Sequence, residues 1–214
     1  MRRRPYDIYI QNIVVGVDLQ RRLNLGKIVG RYQSTEYRPE QFPGLVYRQS
    51  KPKAVMLIFT SGKMVCAGSK SIKDAEKFIR KVNKEVIWGT FGRSEKEPIV
   101  KVSNIVASGN FHGYVSIEYI NRLNQNFPRY KSMYEPEQFP AAVVRDTKEY
   151  LIESSFIEKK AVFLLFSSGK YVCTGCKSEE SLTTRVDDMY KALFETDLID
   201  KDTEVAVSAW EITF

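Results

Sequence analysis

Histidine is almost missing from this sequence and cysteine is scarce: His112 stands alone, beside Cys66, Cys173 and Cys176. A structural zinc ion takes four nitrogen or sulfur ligands, so Cys173-Thr174-Gly175-Cys176, despite its Cys-x-x-Cys spacing, lacks the partners such a site needs. Cys66 and Cys173 occupy equivalent places in a repeat and read as small buried apolar residues in strands. Metal and redox chemistry rank below that reading, and no cofactor is expected. No run of about 18 apolar residues occurs, and Met1-Arg2-Arg3-Arg4-Pro5-Tyr6-Asp7 is not followed by the apolar stretch of a signal peptide. The expectation is a soluble intracellular protein with no membrane partner. Catalytic groups are equally sparse. Gly62-Lys63 and Gly169-Lys170 lack the upstream glycine of a phosphate loop, and Glu179-Glu180 and Asp187-Asp188 fall on a predicted helix surface. An enzyme is not expected.

What the sequence does have is one unit written twice. Tyr37-Arg38-Pro39-Glu40-Gln41-Phe42-Pro43 returns as Tyr134-Glu135-Pro136-Glu137-Gln138-Phe139-Pro140, and Leu57-Ile58-Phe59-Thr60-Ser61-Gly62-Lys63 as Leu164-Leu165-Phe166-Ser167-Ser168-Gly169-Lys170. Two copies in order imply a pseudo-two-fold body, which suits a long and nearly symmetric partner such as duplex DNA. The copies differ in charge. Up to Pro98 there are 20 Lys or Arg against 9 Asp or Glu, a balance of +11; from Ile99 onward there are 13 against 17, a balance of −4, and the two make the overall +7. A basic first half suits a polyanion; an acidic second half suits a basic protein partner or plain solubility.

Each half reads in the same order. Ile8 to Val17 is a β-branched run expected as a strand, followed by a short helix around Leu23, Leu25, Ile28 and Val29. After the Pro39/Phe42/Pro43 loop, Leu45–Arg48, Ala54–Phe59 and Met64–Ala67 read as a meander. Ser71 then opens an amphipathic helix, and Trp88 to Pro98 reads as a linker. The second half gives a strand over Val100 to Ser108, a helix near Ile117 to Asn124, further strands, and a helix from about Ser178 to Phe194. Asp146 to Lys160 is an elongated hairpin in place of a short turn, and Val205–Val207 with Trp210–Ile212 offer an edge strand near the end.

Alternate residues of a strand face opposite sides. Val55, Leu57 and Phe59 therefore share one face and Met56 and Ile58 the other, and both faces are apolar; the same holds for Val162, Leu164 and Phe166 against Phe163 and Leu165. Two helices per half cover only one side of such a meander, so the other side is expected to meet a partner. Asn12 with Val14, and Asn104 with Val106, set a carboxamide among small apolar groups, which suits the acceptor pattern of A·T pairs in a minor groove. Phe42, Phe59, Phe139 and Phe166 recur as two pairs, and aromatic wedges between base steps kink DNA at a cost of about a few kcal/mol per step. Arg48 and Arg145 end equivalent strands and could hold phosphates.

The spaced motifs carry a family resemblance. Gln11-Asn12-Ile13-Val14, Glu36-Tyr37-x-Pro39-x-x-Phe42-Pro43-Gly44-Leu45-Val46-Tyr47-Arg48, Leu57-Ile58-Phe59-x-Ser61-Gly62-Lys63-Met64-Val65-Cys66 and Gly68-x-Lys70-Ser71 occur in order, each with a second-half counterpart, from roughly Ile8 to Phe194. In these the chain resembles the TATA-box-binding protein family. The resemblance implies an α+β fold: a pseudo-two-fold saddle, two repeats forming one curved antiparallel ten-stranded sheet, with two helices per repeat on the convex face. It implies a first repeat with linker over 1–98, a second repeat over 99–194 with the hairpin 146–160 inserted, and a C-terminal tail over 195–214. By motif, the wedges would be Phe42 with Phe59 and Phe139 with Phe166, and the central asparagines Asn12 and Asn104. Val14, Val106, Val65 and Val172 would flank them, with Leu57 and Leu164 beside the wedges. Where the family usually has paired threonines, this chain has Thr174 and Ala67. Gln138 stands where the family often has leucine, beside Glu135 and Glu137, which resemble the docking site for transcription factor IIB.

The implied function is a general transcription initiation factor. It would bind the minor groove of A·T-rich TATA promoter DNA, kink it, and recruit a transcription factor IIB-like protein and the RNA polymerase machinery; a homodimer of the DNA-free protein stays open. The alternative is a divergent saddle-fold paralogue acting as a protein-binding module or with other DNA specificity. Pro-Glu-Gln-Phe-Pro in both halves and the lack of a long low-complexity N-terminal arm look archaeal, so a nucleoid or cytoplasmic location is favoured, with the nucleus as the eukaryotic alternative.

Overall fold

A computed structural model describes residues 4–153, 156–158 and 160–200, with the backbone alone at 150–153 and 156–158. The edge strand expected around Val205–Val207 and Trp210–Ile212 lies outside the described residues. The chain forms two compact units, one over Ile10–Asn104 and one joining the residues up to Tyr9 to those from Ile105 onward.

The first unit opens on β1 (Tyr9–Asp18), where β-branched residues favour extended backbone. The short helix expected over Leu23–Val29 is a single 3-10 turn, Leu25–Lys27. Gly26 inside it and Gly30 behind it, at φ +82°, disfavour a longer helix. The strands β2 (Thr35–Glu36), β3 (Leu45–Gln49), β4 (Ala54–Ile58) and β5 (Lys63–Ser69) follow. β3, β4 and β5 form the antiparallel meander, with Leu57 opposite both Val46 and Val65. The helix α1 (Ile72–Val82) begins at Ser71, whose hydroxyl accepts the Asp74 N–H at 3.1 Å. Beyond it, the expected linker is partly helical: one wide π turn over Asn83–Trp88 keeps Val86 and Ile87 in the core, and a last turn, α2 (Gly89–Phe91), stops at Gly92 with φ +77°.

β6 (Ile99–Asn110) starts in the first unit and ends in the second. A 3-10 turn over Ile117–Tyr119 leads into α3 (Asn121–Asn126), which ends because Phe127 precedes a proline and is pushed out of the helical region. Then come β7 (Tyr130–Met133), β8 (Ala142–Asp146), β9 (Tyr150–Glu153), β10 (Phe156–Glu158), β11 (Ala161–Leu165), β12 (Lys170–Cys176) and α4 (Glu179–Glu195). β9 and β10 pair with each other in a sheet of their own, the hairpin expected in the 146–160 insertion. The other strands hydrogen-bond in the order β2-β3-β4-β5-β1-β6-β12-β11-β8-β7, the ten-stranded sheet of the resemblance.

In each unit the long helix packs on one side of the strands. Met56, Ile58, Met64 and Cys66 are buried with Ala75, Phe78, Ile79 and Val82 of α1. Tyr47, which lies opposite Met56, stacks on Phe78 with centroids 6.1 Å apart. The second unit builds its core from Phe163, Leu165, Tyr171 and Cys173 with Leu182, Val186 and Met189 of α4. Tyr6 joins that core, its ring 6.0 Å from Phe111 and 5.4 Å from Tyr190, while its hydroxyl bonds Asp187. The Asp7 N–H donates to the Asn110 carbonyl at 3.0 Å, and the Tyr171 hydroxyl donates to the Asp7 carbonyl at 2.7 Å.

One substitution between the repeats changes the core chemistry. Phe78 stands as far from the cap Ser71 as Arg185 does from the cap Ser178. Arg185 is fully buried, and its guanidinium meets Asp146, also fully buried, at 2.7 Å and the Lys148 carbonyl at 3.0 Å. Arg129 adds contacts to Asp188 at 3.0 Å and to Asp146 at 3.7 Å, and Lys148 reaches Asp188 at 3.2 Å. Burial pushes the Tyr130 hydroxyl up to about 12, against the pull of the neighbouring Arg129. Asp187 and Asp188, expected on a helix surface, lie on α4 and are both engaged, with Tyr6 and with Arg129. The cluster pins the base of the inserted hairpin to α4, because Asp146 ends β8 and Lys148 leaves it.

Removing one member strands a buried charge. Asp146→Ala should lower unfolding free energy by about 3–5 kcal/mol, whereas Asp146→Leu with Arg185→Met together should cost far less; urea unfolding followed by circular dichroism measures both.

Candidate nucleic-acid interface

The strand alternation leaves one face of each meander half-exposed while the other is sealed. In the first unit Ala54, Met56 and Ile58 are buried, whereas Val55, Leu57 and Phe59 between them are not. Register sets the rest of that face: Val46, Leu57 and Val65 lie side by side, as do Arg48, Val55 and Ala67. In the second unit Val143, Leu164, Val172 and Ser108 form one row, and Lys131, Arg145, Val162, Thr174 and Val106 the next. Val55 and Val162 lie on this surface as alternation expected; Val46 and Val143 belong to it as well, opposite Leu57 and Leu164, although neither was among the expected contact residues. Asn12, Val14, Asn104 and Val106 are half-buried on β1 and β6.

Asn12 has its orientation settled by a backbone bond. Its Oδ1 accepts the Gly68 N–H at 2.8 Å, so the amide nitrogen turns its two hydrogens outward as donors. Gly68 sits at φ +96° where the β1–β5 register slips, and Gly175 at φ +102° where the β12–β6 register slips, so each half bends its strand at a glycine bulge. Beneath the face, burial pushes the Cys66 thiol up to about 11, partly offset by a hydrogen bond with Ser69, and keeps it neutral.

Two loops with the same turn hydrogen bonds present the phenylalanines. The Arg38 carbonyl accepts the N–H groups of Gln41 at 3.0 Å and Phe42 at 2.9 Å; the Glu135 carbonyl accepts those of Gln138 and Phe139, both at 3.0 Å. Pro39 and Pro136 follow these carbonyls and preset the turn. Phe42 then meets Phe59 with centroids 5.8 Å apart, and Phe139 meets Phe166 at 6.4 Å, both edge to face. Phe42 remains 37% and Phe139 42% exposed, large apolar area to leave in water. A methyl at Gly44 would fall 2.6 Å from Phe42 and 2.9 Å from Phe59, so the closer pair needs glycine there; the second half has Ala141 and a wider pair.

Cations border the apolar rows. Arg48 and Arg145 are exposed at the ends of β3 and β8, and Lys131 lies directly across from Arg145, a like-charge pair that an anion would relieve. Glu135, Glu137 and Gln138 are exposed on the second loop. Among the described residues no group of three or more His, Cys, Asp or Glu side chains gathers as a metal site.

Comparison with known proteins agrees with this geometry. A sequence model of the family described as "Transcription factor TFIID (or TATA-binding protein, TBP)" matches residues 7–86 and 99–196. The TATA-box-binding protein of Pyrobaculum islandicum is 40% identical over 184 residues, 86% of this chain and 84% of that protein. The TATA-box-binding protein of Pyrodictium occultum is 42% identical over 188 residues, covering 86% and 84%. The solved structure of Methanococcus jannaschii TBP superposes with a TM-score of 0.70 at 35% identity, covering 88% of this chain and 99% of that one.

Neighbouring residues of β4 should separate the two faces by stability alone. Met56→Ala should cost about 2–5 kcal/mol, and Leu57→Ala less than half as much, in urea titrations of the free protein.

Proposed function

The chain belongs to the TATA-box-binding protein family, and from that premise we propose that it nucleates transcription by seating its open sheet face in the minor groove of A·T-rich promoter DNA and kinking the duplex with two phenylalanine pairs. The family is one of DNA-binding transcription factors, and the relatives named above are archaeal, so this is an intracellular partner of a transcription machinery. The observation that carries the finer reading is the pair of half-exposed rings at the same place in both repeats, Phe42 against Phe59 and Phe139 against Phe166. Ring contacts that stop short of burial suit groups that slide between base steps, where the loss of stacking is offset by new apolar contact. Rows of Val and Leu exclude water from the groove floor, the outward amide of Asn12 donates to the N3 and O2 acceptors of A·T pairs, and Arg48 and Arg145 hold phosphates.

The exposed loop at Glu135, Glu137 and Gln138 would receive a transcription factor IIB-like protein, its carboxylates facing basic side chains of that partner. RNA polymerase would follow through it. A second reading is favoured by Ala67, which lies opposite Val55 where Thr174 lies opposite Val162: a family member with relaxed choice in one half of its site.

Energy transfer across an end-labelled TATA duplex tests the main reading. Wild type should bring the ends together; Phe139→Ala and Phe166→Ala should each reduce that change and weaken binding about tenfold, or roughly 1.4 kcal/mol. A duplex that stays straight with wild type bound at low salt would overturn it. Binding to every sequence alike, with a steep salt slope, would instead mark a nonspecific basic protein.

A further inference from the structure

The Cys-x-x-Cys run has no part in the activity just described, yet its two sulfurs are neighbours. Cys173 Sγ and Cys176 Sγ lie 3.8 Å apart, both side chains fully buried on the underside of β12. Three residues apart, they point the same way because the strand bulges between them: the register against β6 slips between Thr174 and Cys176, and Gly175 takes φ +102°. Neither cysteine is in a disulfide. We propose that Cys173 and Cys176 form an oxidisable dithiol whose closure to a disulfide distorts the second half-site and lowers DNA affinity, an inference that rests on the DNA-binding reading for its consequence but not for its chemistry.

The first repeat supplies the contrast. There the equivalent pair is Cys66 and Ser69, and the serine hydroxyl hydrogen-bonds the thiol. The same bulge around Gly68 thus brings a sulfur and an oxygen together, a pair that cannot bridge. Only the second repeat has sulfur at both places.

The oxidant for this step is hydrogen peroxide. One sulfur, as its thiolate, attacks a peroxide oxygen; a sulfur–oxygen bond forms, the oxygen–oxygen bond breaks, and hydroxide leaves. The second thiolate attacks the resulting sulfenic acid, so that a sulfur–sulfur bond forms, the sulfur–oxygen bond breaks, and a second hydroxide leaves. The two protons given up by the thiols convert both hydroxides to water, and two electrons pass from sulfur to hydrogen peroxide. A bonded pair must close by roughly 1.8 Å from its present separation. The segment that has to yield is Thr174-Gly175. Thr174 stands in the exposed row beside Val162 and Val106, and Gly175 already crosses close to the Lys160 carbonyl, only 2.6 Å from where a Cβ would lie, so the strain has to appear on the DNA-facing side.

The experiment treats the folded full chain with hydrogen peroxide, quenches it, and counts thiols by alkylation in denaturant and mass spectrometry. The expected product lacks about 2 Da and carries a Cys173–Cys176 bridge, with Cys66 still alkylated. TATA-duplex affinity should then fall about tenfold and return with dithiothreitol, while Cys176→Ala and Cys176→Ser should bind DNA alike before and after peroxide. Three free thiols after excess peroxide would overturn the proposal, and so would a bridged protein with unchanged affinity. Should the reduced protein itself ignore the duplex, the function proposed above falls, and the dithiol is then judged on the bridge and on a shift in thermal unfolding that Cys176→Ser abolishes.

Discussion

A β-strand turns successive side chains to opposite sides, and this chain makes both sides of its strands apolar while covering only one with helix. Everything else follows from that imbalance. Met56 and Ile58, like Phe163 and Leu165, vanish into cores closed by α1 and α4. Val55, Leu57, Val162 and Leu164, one residue along, remain half in water. Half-exposed rows add less to stability than the buried ones beside them, so the area they leave in water points to something they meet. The partner proposed for them, the minor groove of A·T-rich DNA, presents the N3 and O2 acceptors that an outward amide can meet and a floor that valine and leucine can cover.

The repeats hold the same face by different means. In the first unit a stacked Tyr47–Phe78 pair fills the space between helix and strand. In the second, Arg185 stands in the place of Phe78 and pairs with Asp146 at the end of β8. An ion pair removed from water is weak evidence for stability, since desolvation opposes the attraction; what it gives is orientation, because Arg185 also bonds the Lys148 carbonyl and so anchors the root of the inserted hairpin. Gly44 against Ala141, and Ser69 against Cys176, are smaller divergences of the same kind. Each makes one repeat differ from the other while both keep their strands in the same sheet.

Much of the architecture was legible before any coordinates. The duplicated motifs, the meander, the caps at Ser71 and Ser178 and the hairpin in the insertion rest on local signals: a period of two, a cap hydroxyl reaching an amide three residues on, proline and glycine at turns. The misreadings were local as well. Leu23 to Val29 has helical spacing, but Gly26 and Gly30 leave one 3-10 turn; Trp88 to Pro98 reads as linker, but its first residues, Gly89–Phe91, continue the helix by a turn.

By itself the sequence determined which residues could share a face, because alternation and repetition are properties of the chain read in order. Only the tertiary structure decided which partners those residues have. That Asn12 turns its amide outward follows from Gly68 across the ladder; that Arg185 is buried follows from Asp146; that Tyr6 belongs to the second unit follows from Phe111 and Tyr190. These contacts join positions far apart in the chain, where packing and burial, and not local pattern, select the neighbour.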